Sequence, residues 1–187
     1  AFGNENFIIS FIFFNLTIVS IIAAVKYTVG KKAYGYSGLG DVFVFLFFGL
    51  LSVLGSYYLF THKLYLELLL PAIAIGCFST AVLNLNNMRD IESDTAAGKN
   101  TLVVKLGILK AKKYHAFLLL FGMGCAIMYT IINYHEPLQF LFLIAFIPFL
   151  LNIKTVFKNK SPMLLDGELK KVALSTFLFA ILFSIFI

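Results

Sequence analysis

Tryptophan is absent, cysteine and histidine number two and three, and charged residues make up only 13% of the 187-residue chain. So little charge beside 60% hydrophobic residues and a mean hydropathy of +0.93 excludes an ordinary soluble domain, which carries about 25% charged residues. Cys77 and Cys125 stand singly in different apolar runs with no CxxC, which argues against a thiolate metal centre and leaves packing as their role. His115 and His135 have no ligand-type neighbours in the sequence and are read neither as bases nor as metal ligands. No apolar run alternates with a period of two, which excludes barrel strands. The opening AFGNENF has neither an initiator Met nor a basic region leading into a cleavage site, so no signal peptide is visible and the chain is expected to start inside a longer protein.

What is present is hydrocarbon in long pieces. A bilayer core of roughly 30 Å needs about 20 mostly apolar residues per helix. Six runs meet or approach that length: Phe7–Val29, Asp41–Phe60, Tyr65–Leu85, Tyr114–Asn133, Pro137–Phe157 and Val172–Ile187. The expected fold class is all-α, a polytopic transmembrane helix bundle lying in the lipid bilayer. The net charge of +6 is a topology signal and does not indicate nucleic acid, because 14 of the 15 Lys and Arg residues flank the first, third and fifth connections. Those three connections are therefore expected in the cytoplasm, on a multi-pass protein of the inner (cytoplasmic) membrane, with both chain ends outside.

The one long polar interval is Asn84 to Gly107, NLNNMRDIESDTAAGKNTLVVKLG. Asn86, Asp90 and Asp94 recur at i, i+4 and i+8, so a helix continuing through them carries all three on one face. Hard cations such as Mg²⁺ take carboxylate and amide oxygens and bridge them to phosphate, so the spacing suits a metal–diphosphate complex. Gly98, Lys99 and Thr101 follow, with a flexible backbone, a cation and a hydroxyl suited to phosphate. The competing reading is a solvated loop whose acids balance its bases. A second polar stretch, YTVGKKAYGYSGLGD, sets Tyr27 and Lys31 at YxxxK spacing and puts Asp41 at a helix start. Gly49, Ser52, Gly55 and Ser56 recur at helical spacing and are read as packing sites. Phe43, Phe45, Phe47 and Phe48 face either lipid or an isoprenoid channel. Asp166 and Glu168 are read as part of a solvated connector.

The run NNMRDIESDTAAGKNTLVVKLG resembles the second aspartate-rich motif of the UbiA superfamily of intramembrane prenyltransferases, and the Tyr27–Asp41 stretch resembles the loop after the fourth helix in its naphthoate branch. The resemblance implies nine helices, of which this chain would hold the fourth to ninth, so residues 1–187 are expected to be the C-terminal two-thirds of one transmembrane prenyltransferase domain. It also implies a first aspartate-rich motif, which has no counterpart here, so the fragment is expected to be inactive alone. The implied reaction transfers a polyprenyl group from polyprenyl diphosphate to 1,4-dihydroxy-2-naphthoate with decarboxylation, on the cytoplasmic side, with Mg²⁺ as cofactor. Asp90, Asp94 and Lys99 are the implied catalytic residues. Asp90, Asp94 and Asn86 would hold metal, while Asn87, Arg89, Lys99, Tyr27, Lys31 and Asp41 would bind substrate. Another aromatic acceptor, or an ion-binding transporter, remains as an alternative.

Overall fold

The computed structural model describes residues 7–30 and 33–185. Lys31 therefore lies outside the described residues, as do positions 186 and 187 at the end of the last expected span. Among the described residues there are helices and turns and no strand. Helix α1 (Phe7–Thr28) ends before Gly30, whose φ of 104° is a left-handed conformation that glycine adopts without strain. Helix α2 (Gly40–Val44) continues through a π-helical segment, Phe45–Leu51, into α3 (Ser52–Thr61). Helix α4 (Leu69–Arg89) leads to the short α5 (Ile91–Ala96) and α6 (Leu102–Leu106). Helix α7 (Ile108–Ile132) returns, a 3₁₀ segment at Pro137–Ala145 feeds α8 (Phe146–Lys158), and α9 (Asp166–Ile185) closes the bundle.

Among the described residues, five helical stretches are long and apolar enough to cross a membrane: Phe7–Tyr27, Gly40–Thr61, Leu66–Arg89, Ile108–Ile132 and Pro137–Lys158. They agree with the first five expected spans. The sixth differs. Helix α9 starts at Asp166, and Glu168, Lys170 and Lys171 occupy its first turns, so too little uncharged helix remains within the described residues to join the five.

Helix α4 is the centre, packed against α7, α9 and the π-helical segment. Lipid tails are as apolar as leucine, so helices associate here through close packing. A Cβ on Gly49 would come within 2.6 Å of Gly76 Cα and 2.7 Å of Ala72 O, so two backbones touch where the π-helical segment crosses α4. Of the four small residues singled out in that span only Gly49 does this. Gly55 has no neighbour nearer than 3.9 Å, and Ser52 and Ser56 are exposed. With no tryptophan available, phenylalanine fills the core. Phe78 meets Phe149 at 4.6 Å and Phe179 at 5.1 Å, and Phe142 meets Phe183 at 5.1 Å, joining α4, α8, α9 and the 3₁₀ segment.

Candidate active site

All three basic connections meet at one end of the bundle, and the acidic interval lies among them. The backbone leaves helical geometry at Asp90, where φ is −95° and ψ 10°, yet α-type bonding continues across it. The Asp90 amide donates to Asn86 O at 3.0 Å and the Asp94 amide to Asp90 O at 2.8 Å. The i, i+4, i+8 file drawn from the spacing is thus physically continuous. Its oxygens are engaged by cations of the same chain. The Arg89 guanidinium forks onto Asp90, Nε to Oδ1 at 2.8 Å and Nη2 to Oδ2 at 2.9 Å, and Nη2 also donates to Asn86 Oδ1 at 2.9 Å. Lys99 Nζ reaches Asp94 Oδ1 at 2.7 Å and lies 5.2 Å above the Tyr36 ring. The turn that brings Lys99 back to Asp94 passes through Gly98 at φ 69° and closes with the Lys99 amide on Asp94 O at 2.9 Å.

These pairings set the electrostatics. The Arg89 hydrogen bonds hold the Asp90 carboxyl below the usual carboxylate range, and the Asp94 hydrogen bond raises the Lys99 ammonium above its ordinary value. Asn87 is buried one position beyond Asn86, outside the hydrogen bonds that tie Asn86 to Arg89. Asn84 donates to Ala111 O at 3.1 Å and joins α4 to α7, with its own Oδ1 unpartnered.

The second polar stretch folds onto the first. The Asn100 amide donates to Tyr36 O at 2.8 Å and Lys105 Nζ to Ser37 O at 2.7 Å. Gly38 sits at this contact with φ 80°, and a Cβ there would be 3.0 Å from both Asn100 O and Lys105 Nζ. Tyr34 donates to Ala23 O at 2.6 Å, meets Tyr27 edge-on at 5.5 Å and stacks on Phe43 at 3.9 Å. Tyr27, Tyr34, Phe43, Phe47 and Phe48 line an apolar cavity of about 490 Å³. A neighbouring cavity of about 440 Å³ shares Val44 and Phe48 with it and is also lined by Asn86, so the apolar space adjoins the start of the acidic file. Asp41 stands in the first turn of α2, 4% exposed, with its Oδ1 unpartnered.

Among the described residues no three His, Cys, Asp or Glu side chains converge as a metal cage. The oxygen set of Asn86, Asp90 and Asp94 nevertheless suits Mg²⁺, which is held through one or two carboxylates together with substrate phosphates. The two cations now on those oxygens, Arg89 and Lys99, have the charge and the N–H donors that a diphosphate takes. The donor set therefore fits a metal shared with phosphate.

Two features at this end had no sequence signal. The connector reading of Asp166 and Glu168 is corrected: Asp166 Oδ1 accepts from Arg89 Nη1 at 2.9 Å and Oδ2 pairs with Lys170 at 3.3 Å, while Glu168 is buried. His115, fully buried, shares a 2.7 Å hydrogen bond with Asn152 Oδ1, and Asn152 donates to Glu168 Oε2 at 2.8 Å, with Lys171 on the other Glu168 oxygen. Partners 77, 37 and 16 residues apart leave no local spacing to read.

The UbiA prenyltransferase family matches residues 2–164. The chain is 45% identical over 165 residues to 1,4-dihydroxy-2-naphthoate octaprenyltransferase of Escherichia coli (strain K12), covering 88% of this chain and 54% of that protein. It is 42% identical over 181 residues to the protein of the same name from Haemophilus influenzae, covering 97% and 59%. UbiA prenyltransferase domain-containing protein 1 of Dictyostelium discoideum is 37% identical over 101 residues, 54% of this chain and 31% of that protein. The chain thus spans somewhat more than half the length of the first two relatives. No solved structure matches it. With five apolar helices able to cross a membrane, this is a multi-pass membrane chain, and it belongs to the UbiA prenyltransferase family.

Proposed function

We propose that the protein transfers a polyprenyl group from its diphosphate to 1,4-dihydroxy-2-naphthoate, with loss of carbon dioxide, at the cytoplasmic face of the inner membrane. The observation that carries the reading is the junction of an oxygen file, Asn86, Asp90 and Asp94, with apolar space: Asn86 lines a cavity that shares Val44 and Phe48 with the aromatic cavity walled by Tyr27. Such a junction separates the two needs of the reaction, a polar pole for diphosphate and a dry pocket for hydrocarbon. The names of the Escherichia coli and Haemophilus influenzae relatives supply the acceptor.

Asp90 and Asp94, with Asn86, would hold Mg²⁺. Mg²⁺ at these oxygens supplies charge neutralisation for the departing diphosphate. Lys99 leaves Asp94 for a phosphate oxygen and stabilises the leaving group as the allylic C–O bond breaks. Arg89 and Asn87 border the same anion. Tyr27, Phe43 and Phe47 keep water from the allylic cation until the electron-rich ring carbon attacks it. Tyr27, Lys31 and Asp41 would border the diphosphate or position the acceptor in this reading. These 187 residues by themselves are expected not to turn over, because they hold one acidic motif where the resemblance implies two.

The test is an assay of prenylated naphthoquinol formed by membranes containing the full-length protein, given 1,4-dihydroxy-2-naphthoate, a polyprenyl diphosphate and Mg²⁺. Product with naphthoate supports the reading. Product with 4-hydroxybenzoate or homogentisate and none with naphthoate overturns the acceptor.

A further inference from the structure

Arg89 makes four hydrogen bonds, and three of them occupy oxygens assigned to the metal–diphosphate complex: both of Asp90 and that of Asn86. The fourth is different. It runs from Nη1 to Asp166 Oδ1, 2.9 Å away on α9 and outside the acidic file. A metal that takes Asp90 and Asn86 as ligands competes with the guanidinium, which engages both carboxylate oxygens and the amide oxygen. Whether the guanidinium yields depends on what else it can hold.

Asp166 is the anchor for this purpose. It opens α9, and two residues later the buried Glu168 is held by Asn152 and Lys171, while Phe179 packs into the aromatic core. Asp166 itself is half-exposed, with Lys170 on its other oxygen, and holds Arg89 from the α9 side. We propose that Asp166 is a positioning residue: it retains Arg89 beside the motif when Asp90 and Asn86 turn to the metal, so that the guanidinium faces the diphosphate and does not compete for Asp90. The proposal rests on the assignment of Asp90, Asn86 and Asp94 to metal.

Without Asp166, the remaining carboxylate bonded to Arg89 is Asp90, and the fork tightens on the metal's own ligand. Mn²⁺, which accepts the same oxygen donors as Mg²⁺, reports this directly. The measurement is Mn²⁺ affinity of the full-length protein in nanodiscs, read from the electron paramagnetic resonance signal of free Mn²⁺ with no prenyl substrate present. Asp166→Asn is expected to weaken binding by about 2- to 5-fold, the factor that one partly exposed ion pair carries. Arg89→Gln is expected to tighten it. In the Arg89→Gln background, Asp166→Asn is expected to change nothing, because the competing cation has gone. An equal loss from Asp166→Asn in both backgrounds would mean that Asp166 acts only as a nearby negative charge, and the proposal fails. Unchanged affinity in the single variant also overturns it. Absence of Mn²⁺ binding by the wild-type protein, with inorganic diphosphate present as well as without it, would instead defeat the metal assignment itself, as would wild-type affinity in Asp90→Asn.

Discussion

Arg89 and Lys99 hold the acidic file in a neutralised state, and that pairing predicts how the site responds to substitution and to pH. Asp90→Asn and Asp94→Asn are each expected to reduce prenyl transfer by two orders of magnitude or more, about 3 kcal/mol of transition-state stabilisation, since a neutral amide is a far poorer Mg²⁺ ligand than the carboxylate it replaces. Initial rates at saturating Mg²⁺ check this, and near-wild-type turnover by both would reduce the acids to loop solubilisers. The pH response follows from opposite shifts. Asp90 is lowered, so its stabilisation is present above the unfolded carboxyl value of about 4 and is lost as pH falls through the lower native value. Lys99 is raised, so its contribution is present below about 10.4 and is lost as pH rises through the higher native value. Thermal midpoints in detergent are therefore expected to gain nothing from either pair's titration between about pH 5 and 9. Arg89→Gln removes Asp90's part of the acid limb, and Lys99→Gln removes the alkaline part. A Lys99→Gln protein with an unchanged alkaline limb would contradict the Asp94 pairing. The Asn86, Asp90 and Asp94 periodicity was legible in the chain because helical spacing is local. Their occupation by Arg89 was not, because a guanidinium can reach many acceptors and only packing selects among them.

Between helices, the decisive contact is the backbone crossing at Gly49 and Gly76. A Cβ on Gly49 would meet main-chain atoms of α4, which cannot move aside as a side-chain tip can. Gly49→Val is expected to cost roughly 1–3 kcal/mol or more of unfolding free energy, while Gly55→Ala is expected to be neutral or slightly stabilising. Unfolding in mixed micelles with increasing denaturing detergent checks both, and equal midpoints would remove the crossing as a constraint. Phe179→Ala tests the aromatic core in the same assay, with an expected loss of about 3–5 kcal/mol. The small-residue pattern pointed to a packing face, but only the helix crossing decides that Gly49 meets bare backbone while Gly55 does not. Similarly, α9 was legible as an apolar segment. Its earlier start, with Asp166 and Glu168 in the first turn, follows from the partners that Arg89, Asn152 and Lys171 provide.

Across the bundle, the three basic connections lie together. The first is pinned to the third through Tyr36 and Asn100, and the third to the fifth through Arg89 and Asp166 and through Lys112 and Asn159. Single cysteines at Ser37, Ala97 and Ser161 are expected to react with an impermeant thiol reagent only from the cytoplasmic face. Labelling of any one from outside would break the proposed orientation. Composition and run length alone determined that the chain is a set of apolar helices, because a backbone in lipid must satisfy its own hydrogen bonds. They also determined which interval is polar, and the local spacing within it. Only the tertiary structure decided that the loop of Tyr34 to Gly40 folds over Lys99 and Asn100, and that Asp166 holds Arg89. It likewise decided that His115, Asn152 and Glu168 form a buried chain. Helix periodicity is written in neighbours three and four residues apart. Contacts between distant elements depend on how whole helices cross, and that is set by the sum of many weak packing terms.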